Sequence, residues 1–260
     1  MENFASKMML CNSIKDLSKI ENDKYIYEPK KDGLRAFLVH TKKNGLKLWN
    51  REHKNILENY PEIKNLKFKD DFILDGELCA KDFSTLMSRQ HLSDKFKIDL
   101  LAKKNPVTFW AFDILFLNNE MVMDFELINR KKVLEVFYRY ENPYLKVLPY
   151  LTDLNTAKEM YKNEEGIILK ERTSKYEMNT RSDKWLKYKK RVEVLLRFDG
   201  YEQNKDNSIT LIQKKGKYRV KCNDLTAIEK LKDGFIECEV EGLELTKNGM
   251  VRMPILKRLI

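Results

Sequence analysis

The sequence has few of the features that cross-link a small protein, anchor it in a membrane or direct its export. Its 260 residues include only four cysteines, which lie far apart and form no Cys-x-x-Cys pair. A zinc site or a disulfide framework is therefore not expected, and a reducing compartment is the better prediction. The N-terminus lacks the apolar core of a signal peptide, and no later stretch approaches membrane-spanning length. We expect a cytoplasmic protein without a membrane partner.

Repeats, low-complexity tracts and Gly/Ser linkers are also missing, and the composition is that of a soluble globular protein. Hydrophobic residues make up 42% and charged residues 35% of the chain. The formal net charge is +10, which favours an anionic partner such as nucleic acid, a nucleotide or acidic lipid. The basic residues are interleaved with acidic ones, so most of them are expected to be solvated surface.

The order of strand-like and helical segments predicts an α+β protein of two domains. Runs of β-branched and aromatic residues, such as "FILDGEL", "VTFWAFDILFL" and "EGIILK", alternate with helical patterns such as "FELINRKKVLEVFYRY". Beyond about Lys190 short strands dominate, with one helical stretch, "DLTAIEKLK". We expect a larger α+β domain over residues 1–190 and a small all-β barrel of the OB-fold type over residues 191–260.

The stretch "EPKKDGLR" places Lys30 and Lys31 side by side ahead of an Asp-Gly turn. Either both are surface charges in a lysine-rich chain, or one of them is a nucleophile. A lysine attacks only when its amine is neutral, and nearby cations or a metal ion favour that form. Gly33 would let the backbone approach a ligand closely. Alone, this motif is weak support for a reactive site.

Acidic and aromatic residues in later stretches could complete such a site. Asp75 and Glu77 in "LDGEL" lie two apart on a predicted strand, so both side chains project from one face. They are either solvated acids or groups that bind a ribose or a metal ion. Phe112, near the end of "FWAFD", is either a core residue or a ring that stacks on a base. Glu165 precedes a glycine and a strand that looks buried.

A lysine pattern near the end of the larger domain points to an anion. In "RSDKWLKYKK", the side chains of Trp185, Lys187 and Lys189 share one face of a strand. Two lysines that point inward beside a buried Trp would be costly unless an anion meets them. A phosphate would satisfy both.

Taken in order, these stretches resemble the covalent nucleotidyltransferase superfamily, and most closely the ATP-dependent DNA ligases. The resemblance runs from "EPKKDGLR" through "NRE", "LDGEL", "FWAFD" and "EGIILK" to "KWLKYK". It implies an ATP-grasp-like nucleotidyltransferase domain followed by an OB-fold. In the K-x-D-G-x-R motif of these enzymes, the nucleophile is the lysine two positions before the Asp, which is Lys30. Lys31 is then expected to be a surface charge.

The resemblance also implies roles for the matching residues. Lys30 would attack the α-phosphorus of ATP and carry AMP covalently, with Asp32 beside it in the motif. Glu28 would lie against the adenine amino group, and Phe112 would stack on the base. The other matching side chains would hold the ribose, the phosphates or a Mg²⁺ or Mn²⁺ ion: Glu77 (ribose or metal), Glu165 (metal), Arg35 and Arg51 (AMP phosphate or the 5′-phosphate of a nick), and Lys187 and Lys189 (α-phosphate).

Several details are typical of DNA ligases rather than of their relatives. "DFSTLMSRQ" resembles a ligase stretch with Phe83, Leu86 and Arg89, which assigns Arg89 to DNA or pyrophosphate. Arg181 ahead of the Trp is also typical and is expected near the cofactor. The mRNA guanylyltransferases usually carry Asp where this chain has Glu165. Only 29 residues precede Lys30, so the extra modules of NAD-dependent ligases are not expected.

The C-terminus departs from the family pattern. "MVRMPILKRLI" resembles the start of a motif that orients the pyrophosphate in relatives, with Arg252 in place. In relatives this motif continues with a second Arg followed by Asp-Lys, and this stretch stops before those residues. Lys257 or Arg258 could replace the missing cation. A milder departure is Asn50, where a Ser commonly precedes the Arg.

The sequence therefore predicts a minimal ATP-dependent DNA ligase that seals 5′-phosphate/3′-hydroxyl nicks in duplex DNA, as a monomer that closes around the DNA. One alternative is an RNA ligase or mRNA-capping guanylyltransferase, which RNA-end substrates or GTP labelling would reveal. Another is a non-catalytic nucleic-acid-binding protein. Against that alternative stands the survival of the reactive residues, namely Lys30, Glu77, Glu165, Lys187 and Lys189.

Overall fold

The structure is a computed structural model that describes residues 8–242 and 250–260. The chain divides into two compact units, Met1–Tyr188 and Lys189–Ile260. The sequence predicts a boundary at about Lys190.

The larger unit is a mixed α and β structure in which strands predominate. Its strands are β1 (Leu10–Ile14), β2 (Tyr25–Pro29), β3 (Leu34–Thr41), β4 (Gly45–Asn50), β5 (Phe72–Cys79), β6 (Thr108–Leu117), β7 (Glu120–Met121), β8 (Leu145–Val147), β9 (Gly166–Glu171) and β10 (Arg181–Lys189). Its α-helices are α1 (Pro61–Lys64), α2 (Phe83–Gln90), α3 (Lys95–Lys104), α4 (Leu127–Leu134) and α5 (Leu154–Met160). Short 3₁₀ helices cover Asn22–Lys24, Leu57–Asn59 and Glu135–Tyr140.

Two sheets organise the larger unit. One has the strand order β4-β3-β5-β6-β7, with β8 added in parallel beside β6. The other has the order β1-β10-β9-β2, in which β1 and β10 run parallel and β2 and β9 run antiparallel. Alternate residues of β3 reach opposite faces of the first sheet. Leu38 joins a core cluster with Phe72, whereas Phe37 joins a second cluster that includes Trp185 of β10. The second cluster therefore unites side chains from both sheets.

Aspartate caps begin three of the helices. Asp82 accepts a hydrogen bond from Thr85 N at 2.8 Å at the start of α2, and Asp153 accepts one from Thr156 N at 2.7 Å at the start of α5. Asp94 caps α3 in the same way. Within the described residues, the helices are all too short or too polar to cross a membrane.

The smaller unit is built from short strands and one helix. Its elements are β11 (Val192–Phe198), β12 (Gly200–Gln203), β13 (Ile209–Ile212), β14 (Arg219–Cys222), α6 (Thr226–Lys230), a 3₁₀ helix (Leu231–Asp233), β15 (Ile236–Gly242) and β16 (Ile255–Leu259). They form two three-stranded antiparallel sheets, β11-β15-β16 and β12-β13-β14, around a separate core. No closed barrel is found in the part of this unit that the structure describes, so the OB-fold stays a prediction.

Arg89 lies inside the larger unit and not on its surface. Its side chain is 0% exposed, and its two terminal nitrogens donate to the carboxylate of Glu62 at 2.7 and 2.8 Å. It also donates to the carbonyl oxygen of Asn59 at 2.8 Å. The expectation that Arg89 contacts DNA or pyrophosphate is therefore wrong, because no part of the side chain reaches solvent. Arg89 instead ties α2 to α1.

Replacing Arg89 with methionine should lower the free energy of unfolding by about 3–5 kcal/mol, because the carboxylate of Glu62 would stay buried without its partner. The double variant Arg89→Met/Glu62→Leu should recover most of that loss, since both charges are removed together. Urea unfolding of the three proteins measures the difference. Arg139→Met serves as the control, because the Arg139 side chain is 56% exposed and solvent screens its ion pair, so its removal should change stability far less than the removal of Arg89. An unchanged stability in Arg89→Met would contradict this assignment.

Candidate active site

A pocket lies between the two sheets of the larger unit and contains about 490 Å³ of empty space, its open mouth included. Strands from both sheets contribute to its wall. The lining residues are Cys11, Glu28, Pro29, Lys30, Lys31, Arg35, Glu77, Phe112, Leu148, Ile168, Lys170 and Trp185. Five predicted site residues are among them: Glu28, Lys30, Arg35, Glu77 and Phe112. A concave site with apolar walls and a few convergent charged groups is the usual form of a ligand pocket.

One wall of the pocket is apolar and aromatic. Phe112 belongs to the core cluster that also contains Leu148 and Trp185, yet these side chains face the pocket. Ile168 of β9 lines the pocket as well. Aromatic and branched side chains of this kind suit a flat heterocyclic ring.

The two neighbouring lysines each meet their own carboxylate. Lys30 Nζ donates to Glu165 Oε2. Lys31 Nζ donates to Glu164 Oε1 at 2.6 Å and lies 4.8 Å from the centre of the Trp110 ring. The expectation that Lys31 is an ordinary surface charge is wrong, because its side chain is only 20% exposed and lines the pocket. The choice of Lys30 as nucleophile rests on the motif and not on burial.

Arg35 is fixed by a buried acid on the neighbouring strand. Its Nε and Nη2 donate to Asp75 Oδ1 at 3.0 Å and Oδ2 at 2.6 Å, a bidentate pair. The hydroxyl of Tyr176 donates to the same Asp75 Oδ2 at 2.6 Å. Asp75 therefore holds the arginine that lines the pocket, while Glu77, two residues along β5, lines the pocket itself. An arginine held in this way can present a fixed positive charge to a phosphate.

Glu77 is a carboxyl group whose pKa burial raises to about 8, against the opposing effect of the cations Arg35 and Lys30. Gly33 packs directly against it: a Cβ on Gly33 would lie 2.4 Å from the carbonyl oxygen of Leu78 and 2.9 Å from Glu77 Cγ. The glycine after Asp32 is thus needed for contact with β5. That contact keeps the Lys30 loop beside Glu77.

Glu28 is almost completely buried, at 1% exposure, and has a lysine at each oxygen. Lys131 Nζ donates to Glu28 Oε1 and, at 2.6 Å, to the carbonyl oxygen of Phe112. Lys170 Nζ lies 2.8 Å from Glu28 Oε2. Lys131 thereby links the two residues that were expected to contact the base. Burial lowers the pKa of the Lys131 ammonium, and the nearby Glu28 carboxylate opposes that shift.

Five further residues that were predicted to belong to the site are not among those that line the pocket: Asp32, Arg51, Arg181, Lys187 and Lys189. Asp32 lies in the loop after β2, Arg51 is exposed in the turn after β4, and Lys187 lies near the end of β10. Lys189 ends β10 and is the first residue of the smaller unit. Arg181 was expected at the cofactor, but its exposed side chain donates to the carbonyl oxygen of Cys11 at 2.6 Å.

The basic residues of the C-terminus lie in the smaller unit. Lys257 and Arg258 are on β16, where Lys257 Nζ donates to Glu193 Oε1 at 2.6 Å and Arg258 Nε donates to Glu239 Oε2 at 2.5 Å. A role at pyrophosphate would require these ion pairs to open. Arg252 is partly exposed just before β16.

Glu77 and Glu165 are the predicted ligands of a divalent cation, and their carboxyl groups could hold one together with phosphates and water. Both carboxyl groups lie close enough to Lys30 and to each other to interact electrostatically. Across residues 8–242 and 250–260, no group of three or more His, Cys, Asp or Glu side chains could hold a metal. Mg²⁺ does not need such a cage, because it is usually bound by one or two carboxylates together with substrate phosphates and water.

Lys131 and Lys170 are site residues that the sequence analysis missed. Lys170 follows Ile168 by two positions on β9, so both side chains project from the pocket face, whereas Ile167 and Leu169 pack into the opposite core. The same alternation that was applied to "KWLKYK" would have found Lys170 in "EGIILK". Lys131 had no comparable signal, because it lies within a lysine-rich helix.

The comparisons with known proteins agree with the order of the motifs. Residues 8–189 match the family model described as "ATP dependent DNA ligase domain". The chain is 30% identical to the SPbeta prophage-derived DNA ligase-like protein LigB of Bacillus subtilis, over 96% of this chain and 97% of that protein. It is also 30% identical to a DNA ligase of Methanoculleus marisnigri, over 73% of this chain.

The fold resembles that of solved ligases. The crystal structure of the ligase domain from M. tuberculosis LigD matches with a TM-score of 0.64 at 19% identity, covering 100% of this chain and 96% of that one. The chain belongs to the ATP-dependent DNA ligase family, which confirms the family that the motifs predicted. It spans only 36% of the length of the Methanoculleus enzyme.

Replacing Glu77 with glutamine should change how stability depends on pH. The folded-state pKa of about 8 lies above the ordinary value of 4.5, so the folded protein keeps a proton that the unfolded chain releases. The contribution of the Glu77 carboxyl group to the free energy of unfolding is fully present below about pH 4.5 and is lost as the pH rises through about 8. Relative to Glu77→Gln, the wild type should therefore lose up to a few kcal/mol across that range.

Unfolding free energies measured at several pH values test this. Glu58→Gln is the control, because the Glu58 side chain is 76% exposed and its removal should leave the pH profile unchanged. A constant difference between wild type and Glu77→Gln at all pH values would show that the carboxyl has an ordinary pKa.

Proposed function

We propose that the chain is an ATP-dependent DNA ligase that seals nicks in duplex DNA through a lysyl-AMP intermediate on Lys30. The observation that carries the proposal is the shared pocket. Lys30 lines it together with Glu28, Arg35, Glu77 and Phe112, in a chain that belongs to the ATP-dependent DNA ligase family.

The first step joins Lys30 to AMP. The neutral amine attacks the α-phosphorus, a nitrogen–phosphorus bond forms, and the bond to pyrophosphate breaks. The ammonium must first lose a proton, and Glu165 is a carboxylate in direct contact with it. Arg35 would offset the negative charge of the phosphates, and its bidentate bond to Asp75 keeps it in position for that task. Lys187 and Lys189 are proposed to act on the α-phosphate.

The nucleoside would occupy the rest of the pocket. Phe112 would stack on the base, Glu28 would accept a hydrogen bond from its amino group, and Glu77 would hold the ribose or a metal ion. A Mg²⁺ ion held by Glu77 and Glu165 would neutralise phosphate charge. Phosphoryl transfer depends mainly on such positioning and charge neutralisation.

Two further transfers would complete the reaction. AMP passes from Lys30 to the 5′-phosphate of the nick, and the 3′-hydroxyl then attacks that phosphate and releases AMP. Arg51, exposed after β4, is proposed to contact the 5′-phosphate. We infer that the smaller unit is an OB-fold; its antiparallel strands and single helix support this. The enzyme would act as a monomer on nicked DNA.

Replacing Lys30 with alanine should abolish the AMP adduct, because no other amine is proposed to attack. Intact-protein mass spectrometry after incubation with Mg²⁺ and ATP measures the adduct, on protein first stripped of bound AMP with pyrophosphate. Lys31→Ala is the matched control, because Lys31 is the adjacent amine in the same pocket, and it should keep the adduct.

Three outcomes would contradict the proposal. An adduct from GTP and not ATP would indicate a capping guanylyltransferase. An adduct kept in Lys30→Ala but lost in Lys31→Ala would assign the nucleophile to the other lysine. No adduct in any sample would favour a nucleic-acid-binding protein without catalysis.

Added salt should weaken binding to nicked duplex much more than it slows formation of the adduct. The net charge of +10 favours binding to phosphates with release of counterions, so the logarithm of the DNA affinity should fall linearly with the logarithm of the salt concentration. The slope of dissociation constants in a KCl series measures this, and adduct formation in the same buffers is the internal control. Sealing that is insensitive to salt would contradict a role for this charge in holding DNA.

A further inference from the structure

The Trp110 ring beside the pocket holds a second lysine besides Lys31. Lys146 Nζ lies 5.7 Å from the centre of this ring, and Lys31 Nζ lies 4.8 Å from it. An indole ring attracts a cation over its face, so Trp110 brings two ammonium groups to one place. Lys31 lines the pocket, whereas Trp110 and Lys146 are not among the lining residues. No step proposed above uses Lys146.

The strand register sets Lys146 in one row with Glu77. Glu77 of β5 pairs with Trp110 of β6, and Trp110 pairs with Lys146 of β8. Residues paired across neighbouring strands project from the same face of a sheet. Three strands therefore present a carboxyl group, an indole ring and an ammonium group side by side. Glu77 lines the pocket and Lys146 is exposed, so the row runs from the pocket to solvent.

The alternation along β6 and β8 shows that this row belongs to the pocket face. Leu145 of β8 is part of the core cluster on the opposite face of the sheet. Lys146 lies two residues before Leu148, and Trp110 lies two residues before Phe112. Leu148 and Phe112 both line the pocket, so the side chains two positions earlier project to the same side. Trp110 and Lys146 thus continue the wall of the pocket outward.

Lys146 differs from the lysines of the pocket in its charge balance. Lys30 donates to Glu165, and Lys31 donates to Glu164. Over residues 8–242 and 250–260, Lys146 forms no ion pair with a carboxylate, and the Trp110 ring is the group that holds it. An ammonium has three donors and no acceptor. An anion that reaches Lys146 can therefore take up these donors without opening an ion pair.

We propose that Lys146 contacts a backbone phosphate of the nicked DNA at the mouth of the pocket, and that Trp110 positions it for this contact. The inference rests on the proposed function, in which AMP on Lys30 has to meet the 5′-phosphate of the nick in this pocket. A duplex that brings that phosphate to Lys30 carries its neighbouring phosphates over the rim, where Lys146 is exposed. A lysine acts there as a point charge that does not depend on base sequence.

Binding of nicked duplex tests this without requiring catalysis. Dissociation constants are measured by fluorescence anisotropy in a KCl series, on Lys30→Ala and on Lys30→Ala/Lys146→Met. Loss of one phosphate contact should reduce the slope of the logarithm of affinity against the logarithm of salt concentration by about 1. Binding at about 0.1 M salt should weaken roughly 5- to 10-fold.

Lys67→Met in the Lys30→Ala background is the matched control. Lys67 is also exposed, and it lies between Leu66 and Phe68, which pack against the core cluster on the other face of the sheet. Its removal takes away the same charge and should leave the affinity and the slope unchanged. Lys146→Arg should keep most of the affinity, because arginine also binds a phosphate and stacks on an aromatic ring. Thermal unfolding of each variant reports on folding.

A methylphosphonate scan locates the contact on the DNA. Each substitution replaces one charged phosphate near the nick with a neutral group. At the phosphate that Lys146 contacts, the substitution should weaken binding to Lys30→Ala but not to Lys30→Ala/Lys146→Met, since the two charges act as a pair. At the other positions, both proteins should respond alike.

Four results would overturn the inference. Lys146→Met could bind as before, Lys67→Met could weaken binding equally, or no methylphosphonate position could be coupled to Lys146. In the fourth, Lys146→Met slows formation of the AMP adduct while DNA binding is unchanged, which would assign Lys146 to the nucleotide. The proposed function fails separately, if wild type forms no adduct with ATP while the binding that depends on Lys146 persists.

Discussion

The antiparallel pairing of β2 with β9 is the constraint on which the site depends. It sets Glu28 opposite Ile168, and the backbone N–H of Lys30 continues it by donating to the carbonyl oxygen of Gly166 at 3.0 Å. Two segments about half the chain apart are thus brought together, with Lys30 beside Glu165. A shift of one residue would turn the pocket side chains toward the core. Both strands also carry apolar residues on the opposite face, and their burial fixes the register.

Charged side chains can be buried close together here because most of them pair with a group of opposite charge on a neighbouring segment. The buried Arg130 of α4 and Asp113 of β6 meet in a bidentate bond at 2.8 and 2.9 Å, and Arg35, which lines the pocket, pairs with Asp75. A buried ion pair contributes little net stability but strongly penalises the loss of either partner. Such pairs fix where the side chains point. Burial raises the pKa of Glu77 to about 8, and the nearby cations Arg35 and Lys30 offset only part of that shift.

Much of the site could be predicted from the sequence, because its residues lie in short motifs on strands. Successive side chains of a strand point to opposite faces, so such a motif shows which residues share a face. The strands around Asp75, Phe112 and Glu165 lie where the β-branched and aromatic runs predicted them, and α4 lies within the helical pattern "FELINRKKVLEVFYRY". What escaped prediction depends on contacts between distant segments. Arg89 matched a ligase stretch but pairs with Glu62, and nothing local reveals that. Likewise, the N-terminal strand β1 has no strong periodicity and forms by pairing with β10.

The adjacent lysine–glutamate pairs bear on the regioselectivity of the chemistry. An electrophile that enters the pocket meets two amines on consecutive residues, and a flexible loop would present them almost interchangeably. Here each amine has its own carboxylate, and Lys31 is also held against the Trp110 ring. The two amines therefore have different neighbouring groups. Two consecutive lysines can therefore differ in their surroundings although they are identical in chemistry.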